Sequence, residues 1–402
     1  MKILLTGGYD TSNLGDHAML HVLKSSLEQY EKVDITVLVR HLEKNIESDY
    51  NVTLIKNLDH DTKQESLGRF FNGFNLNDDT SHIQEISKQL QSTDCLIIGG
   101  GRLFIDVCLE FMRGPLSYFV LLVIIAKFFN VPIIIYAITI IEPKTDLAKE
   151  MLKFIIENAN LVMIREESSN IALKKLNIKN NNLKIIPDPA FQLPKTNHTN
   201  LINNIFLNES LDINQSYIGI NLRYTNVSDI QTNDAYYQKL SNFCDLVYKK
   251  YKTDILLISQ MNYSTDNLFD DDRNLYNLIR NKAANKSHIF IVQQKYNVIE
   301  TLAIYNKMKM LFSMRRHGLI FAATQNIPVY GLVAENNTKY ALEEMGLGNN
   351  FIDFKSNFTI RSFDNLLAIE KIKEILLRNI PILAQKTNEY ANQIFNLYRK
   401  VK

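Results

Sequence analysis

Cysteine is scarce in this chain. Only three occur in 402 residues (Cys95, Cys108 and Cys244), with no CxxC and no paired spacing. That argues against a disulfide framework and for a reducing compartment. All three read as buried apolar thiols. A charge excess of either sign is missing too: 45 basic against 43 acidic residues leave a net charge of +2. A dedicated nucleic-acid binder shows a strong basic excess, so no nucleic-acid partner is expected. The opening MKILLTGGYD has an apolar run too short for a signal peptide. It reads as a buried strand ending in a glycine turn. One long apolar stretch exists, Leu116–Ile141, but Lys127, Asn130 and Pro132 cut it into pieces too short for a bilayer. It reads as a buried helix to about Phe129, a turn, and a buried strand, so no membrane span is expected.

What is present fits a globular chain with ample core: 46% of residues are apolar and 22% charged. The length exceeds one typical domain. Short β-branched runs recur at Ile3–Leu5, Ile35–Val39, Cys95–Ile98, Ile133–Ala137, Leu161–Ile164 and Lys184–Ile186. They recur again at Tyr217–Leu222, Ile255–Ile258, Ile289–Val292, Met310–Ser313 and Val329–Leu332. Helical patterns fill most gaps, as at Gly15–Glu28, Ile83–Gln91 and Glu167–Leu176. Alternating strand and helix predicts parallel, doubly wound sheets, an α/β class with two Rossmann-like domains. The expected division is 1–192, a polar linker over 193–215 with a short helix near Leu201–Leu207, a second domain over 216–360, and helices over 361–402.

In an open α/β sheet, ligands bind beyond the carboxyl ends of the strands. The candidate residues are therefore sought in those loops. Gly7–Asp16 is the first, where Asn13 and Asp16 suit either helix capping or substrate contact beside Gly15. Gly99, Gly100 and Gly101 suit a ligand passing over bare backbone, or a strained turn. Arg165 follows an apolar strand and is expected to point into an interdomain cleft. Asp188, between Pro187 and Pro189, reads as structural, and the acidic run Asp270–Asp272 as a solvated loop. The most informative loop is SMRRHGLIFAATQNIP, which sets Arg315, Arg316 and His317 at the mouth of a helix. Arginine grips phosphate or carboxylate with two prongs, and histidine moves protons near neutral pH. Free N–H groups at a helix start add positive potential. Lys339 could add a compact charge to the same pocket. No metal-ligand spacing is found.

The segments TSNLGDHAML, IIGGGRLF, MIREESSNIAL, IIPDPAF and MRRHGLIFAATQNIPV, with Lys339 after them, resemble in order the motifs of the polysaccharide pyruvyl transferase family. The resemblance spans most of the chain. It implies a GT-B-like fold, two Rossmann-like domains facing each other across a cleft, with C-terminal helices packing back on the first. It implies an acceptor side in the first domain (Asn13, Gly15, Asp16, Gly99, Gly100, Gly101) and a donor side in the second. Arg165, Arg315, Arg316, His317 and Lys339 match the donor-binding positions, with His317 and Arg315 as catalytic residues. The implied reaction moves a pyruvyl group from phosphoenolpyruvate to two sugar hydroxyls, forming a ketal and releasing phosphate, with no cofactor. The acceptor would be a lipid-linked or nucleotide-linked glycan. The enzyme would be cytoplasmic or peripheral to the inner membrane face. The chain departs from the family at Ile138–Pro143, at Glu335–Thr338 and at Arg316, which bears on the acceptor more than on the donor. Two other readings keep the fold: a GT-B glycosyltransferase using a nucleotide-sugar, and an inactive glycan-binding or assembly protein.

Overall fold

The computed structural model describes residues 1–11, 13–58, 82–106, 115–196, 199–224, 230–262 and 271–401. Cys108 and Asp270 lie outside these described residues. The chain divides into two compact units. The first holds Met1–Thr11, Met19–Pro189 and Lys386–Lys402; the second holds Ser12–Ala18 and Ala190–Gln385.

The first unit contains β1 (Lys2–Thr6), β2 (Asp34–Val39), β3 (Thr53–Lys56), β4 (Cys95–Gly101), β5 (Ile133–Ile138), β6 (Leu161–Ile164) and β7 (Leu183–Ile185), in the order β3-β2-β1-β4-β5-β6-β7. Every pairing is parallel. Parallel neighbours need crossover connections, and strands covered on both faces read as unbroken apolar runs. That is why β4 and β5 are buried along their whole length. The apolar stretch resolves into helix Pro115–Phe128, a turn in which Asn130 has φ 57°, and β5. Proline suits the first helical position, where its missing N–H is not needed. No helix among the described residues is long and apolar enough to cross a membrane. The last helix, Glu389–Val401, belongs to this unit. Tyr390 donates to Ile186 O at 2.9 Å, and its ring meets that of Tyr136 at 5.0 Å.

The second unit contains β8 (Tyr217–Asn221), β9 (Ile255–Leu257), β10 (Ile289–Ile291), β11 (Met308–Ser313), β12 (Val329–Val333) and β13 (Phe351–Asp353), in the order β10-β9-β8-β11-β12-β13, again all parallel. Each sheet reverses its winding once: between β1 and β4, and between β8 and β11. Such switch points leave a crevice at the carboxyl ends of the two central strands. The segments that follow β1 and β11 and the glycine end of β4 carry most of the residues singled out from the sequence. The strands read from the sequence are all present, with ends displaced by a few residues. The missed strands, β3 and β13, are short edge strands with only part of their length buried.

Candidate functional site

At the second unit's switch point, β8 ends at Asn221 and β11 at Ser313, and these two residues are paired in register. Ser313 Oγ accepts from Arg315 N at 3.0 Å and donates to Arg315 O at 2.9 Å. This turn ends β11 and starts the helix Arg316–Thr324, with Arg315 extended at its N-cap. Gly318 makes the join possible. A methyl there would lie 2.2 Å from Asn221 Oδ1 and 2.6 Å from Ser313 Oγ. Gly318→Ala is expected to destabilise the protein by about 1–3 kcal/mol. Denaturant unfolding checks it, and an unchanged midpoint would show that the strand ends can give way.

Behind the turn lies a directed hydrogen-bond chain. Asn221 Nδ2 donates to Ile258 O at 2.6 Å, so its Oδ1 is left to accept from Tyr305 OH at 3.0 Å. Tyr305 in turn accepts from Gln260 Nε2 at 2.7 Å. Burial pushes the Tyr305 and Tyr276 phenols above their usual range, so both remain hydroxyl donors. Tyr276 OH donates to Ile258 O at 3.0 Å.

The three residues of the basic turn have different surroundings. The Arg315 guanidinium pairs through Nη2 with Asp272 Oδ1, and its Nε is buried with no partner among the described residues. Arg316 is buried and pairs with Glu344 at 2.7 Å, on the helix Asn336–Glu344. His317 lies against Gly15: a methyl on Gly15 would sit 2.0 Å from His317 Nδ1 and 2.6 Å from its Cγ and Cε1. The segment bearing Gly15 is fixed in the same unit. Asn13 bridges Met261, Leu14 N donates to Gln260 O at 3.0 Å, and Asn13 Oδ1 accepts from Gly15 N at 3.0 Å. Asp16 follows in the first turn of helix Leu14–Leu27. Lys339 lies on helix Asn336–Glu344, 3.7 Å from Glu343 and 6.0 Å from the Phe351 ring centre, with 42% of its side chain exposed. Thr338, its neighbour, donates to Met314 O at 2.9 Å and ties that helix to the basic turn.

The first unit gathers the other candidates. Gly99, Gly100 and Gly101 close β4, and Gly100 has φ 86°, a region that disfavours any side chain. A methyl on Gly99 would meet Tyr136 O at 2.1 Å. These glycines let β4 and β5 close up at their carboxyl ends. Arg165, just past β6, is buried. Its Nη1 donates to Asp188 at 2.7 Å and its Nη2 to Thr139 Oγ1 at 2.5 Å. Thr139 lies within Ile138–Pro143, where this chain departs from the family pattern. Asp188 is fully buried. Breaking a buried ion pair strands the remaining charge, so Asp188→Ala is expected to cost about 3–5 kcal/mol. A thermal midpoint equal to the wild type's would remove the pair from the account of stability.

Sequence reading missed Asn221, Gln260, Tyr305 and Asp272, whose roles depend on partners far away in the chain. It also missed Arg223, just past β8, which pairs with Glu335 at 2.9 Å. One reading needs correction. The acidic run is not a solvated loop at Asp272, which is fully buried, while Asp271 accepts from Arg273 N to cap the helix Asp272–Lys282. Among the described residues, no three His, Cys, Asp or Glu side chains gather as a metal site would require. Cys95 and Cys244 are buried, and burial pushes the Cys95 thiol up to about 12.

The family model for polysaccharide pyruvyl transferase matches residues 13–336, from Asn13 through the basic turn. The chain belongs to the polysaccharide pyruvyl transferase family. This pyruvyl transferase is thus an enzyme that transfers pyruvyl groups in polysaccharide synthesis. No curated protein matches it in sequence. Solved structures resemble it at low identity. Anabaena HepE in complex with UDP-glucose has a TM-score of 0.62 at 11% identity, covering 100% of both chains. The Neisseria meningitidis UDP-GlcNAc 2-epimerase bound to UDP-GlcNAc has a TM-score of 0.58 at 13% identity, covering 98% of this chain and 100% of that one. The Methanocaldococcus jannaschii UDP-GlcNAc 2-epimerase has a TM-score of 0.58 at 11% identity, covering 99% of each chain. These likenesses show the fold of the pyruvyl transferase, a GT-B-like α/β arrangement, and nothing finer.

Proposed function

We propose that the enzyme takes its pyruvyl group from phosphoenolpyruvate and joins it as a ketal to two hydroxyls of one sugar in a cell-surface polysaccharide or its precursor. The observation that carries this reading is the placement of Arg315 and His317 at the switch-point end of β11, with Gly15 against the imidazole. Phosphoenolpyruvate carries phosphate and carboxylate close together, which calls for guanidinium donors in fixed positions. Protonation at the methylene carbon makes a methyl group and an oxocarbenium-like carbon beside it. One sugar hydroxyl adds there, the carbon–oxygen bond to phosphate breaks, and the second hydroxyl adds. Of the two hydroxyl protons released, one balances the new methyl hydrogen and the other leaves with phosphate. In this scheme His317 moves the protons and Arg315 holds the anion. Arg316 and Lys339 enter with their positions beside that turn, and Arg165 through the family resemblance alone. The reaction uses no cofactor, and its donor is a metabolite of the cytoplasm, where the enzyme would work.

Incubation with phosphoenolpyruvate and a panel of sugars tests the proposal, following phosphate by colorimetry and the product by mass. A product heavier than the sugar by one ketal-bound pyruvate is expected. A second reading is favoured by one observation: two of the structural neighbours were solved with UDP-sugars. UDP-glucose and UDP-GlcNAc therefore belong in the same assay. UDP release without consumption of phosphoenolpyruvate would replace the first reading by a glycosyltransferase.

A further inference from the structure

We propose that Asp272 is the positioning residue of the donor site, fixing one end of the Arg315 guanidinium so that its remaining N–H donors are left for the substrate anion. The inference rests on the reading of phosphoenolpyruvate as donor. Asp272 opens the helix Asp272–Lys282, and its side chain is fully buried. Its Oδ2 accepts from Gln260 N and Met261 N, both at 3.0 Å, while its Oδ1 takes Arg315 Nη2. The carboxylate is thereby locked to the loop after β9, and it locks the arginine in turn. At the other end of the same residue, Arg315 N is held by Ser313 Oγ. Backbone and side-chain tip are both anchored.

A guanidinium has five N–H donors in a rigid fork. In Arg315 one arm is taken, and the buried Nε has no partner among the described residues. The side chain as a whole is not sealed off: 15% of it is exposed, so the rest of the fork can meet an anion while Asp272 holds Nη2. Electrostatics sharpens the point. The Asp272 charge offsets that of Arg315, so it lends no net attraction to an anion. Any benefit to binding must come from orientation, which is what distinguishes a positioning residue from a competitor for the arginine.

Calorimetric titration of phosphoenolpyruvate into four proteins separates these cases: wild type, Asp272→Asn, Arg315→Ala and the double variant. The substituted amide can still accept from the loop N–H groups, but its NH2 would face the arginine with donor against donor. Loss of a charge-assisted hydrogen bond corresponds to weakening of about 10- to 100-fold. Asp272→Asn is expected to weaken binding by that range, and the double variant to bind no more weakly than Arg315→Ala. Such coupling would not arise from a general loss of stability. Asp272→Ser, which keeps an acceptor at the helix start, serves if the Asp272→Asn protein does not fold. Wild-type affinity in the Asp272 variant, tighter binding, or penalties that multiply would each overturn the proposal. A wild-type protein that fails to bind phosphoenolpyruvate would instead bring down the donor reading, and this inference with it.

Discussion

His317→Ala is expected to lower phosphate release from phosphoenolpyruvate in the presence of acceptor by about 10²–10⁴-fold, the usual contribution of a positioned acid or base. Binding of phosphoenolpyruvate should change far less, because the anion is assigned to Arg315. The fold should survive. His317 sits in the first turn of helix Arg316–Thr324, whose remaining residues are largely buried and pack on their own account. Phosphate release, calorimetry and the thermal midpoint measured together separate the outcomes. Turnover equal to wild type would remove His317 from proton transfer, whatever becomes of the donor assignment.

Gly15→Ala should come close to it in effect, although Gly15 has no side chain to do chemistry. The added methyl would lie 2.0 Å from His317 Nδ1, well inside contact distance. Either the imidazole or the start of helix Leu14–Leu27 must move. A displacement of about 1 Å at a reacting group can cost about 10²-fold in rate. Stability should also fall, by about 1–3 kcal/mol as at Gly318, because the ring or the helix start must shift. The expected signature is a fall in kcat in protein that is still folded at the assay temperature, with a lowered thermal midpoint. An unaltered kcat would mean that the ring does not need its present seat. Family resemblance assigned Gly15 to the acceptor; the structure gives it a contact with the residue assigned to proton transfer.

Much of the architecture was legible because parallel strands buried on both faces must be apolar throughout, as β4, β5 and β8 are. β3 and β13 escaped notice because they are short and carry a polar residue at one or both ends, TLIK and FID, and so lack that signature. The candidate loops were legible for a second reason: glycine runs and arginines directly after apolar strands are unusual, and within each unit doubly wound topology sets such segments at the carboxyl ends of the strands. Pairing was not legible. Nothing local to Asp272 announces Arg315, and nothing near Asp188 announces Arg165. Such partners are chosen by register and crossover, which bring distant residues together. The same holds for Asn221, Tyr305 and Gln260, which look like ordinary polar residues until the chain of donors running back to the Ile258 carbonyl is seen.

The place of the final helix bears on how the protein comes into being. Tyr390 closes over Tyr136 and the end of the strand edge at Ile186. The ribosome reaches that helix only after the second unit has been made. The first sheet, although synthesised early, must wait with an uncovered flank until Glu389–Val401 has emerged. A nascent chain stopped at Gln385 would leave Tyr136 without the ring that packs against it.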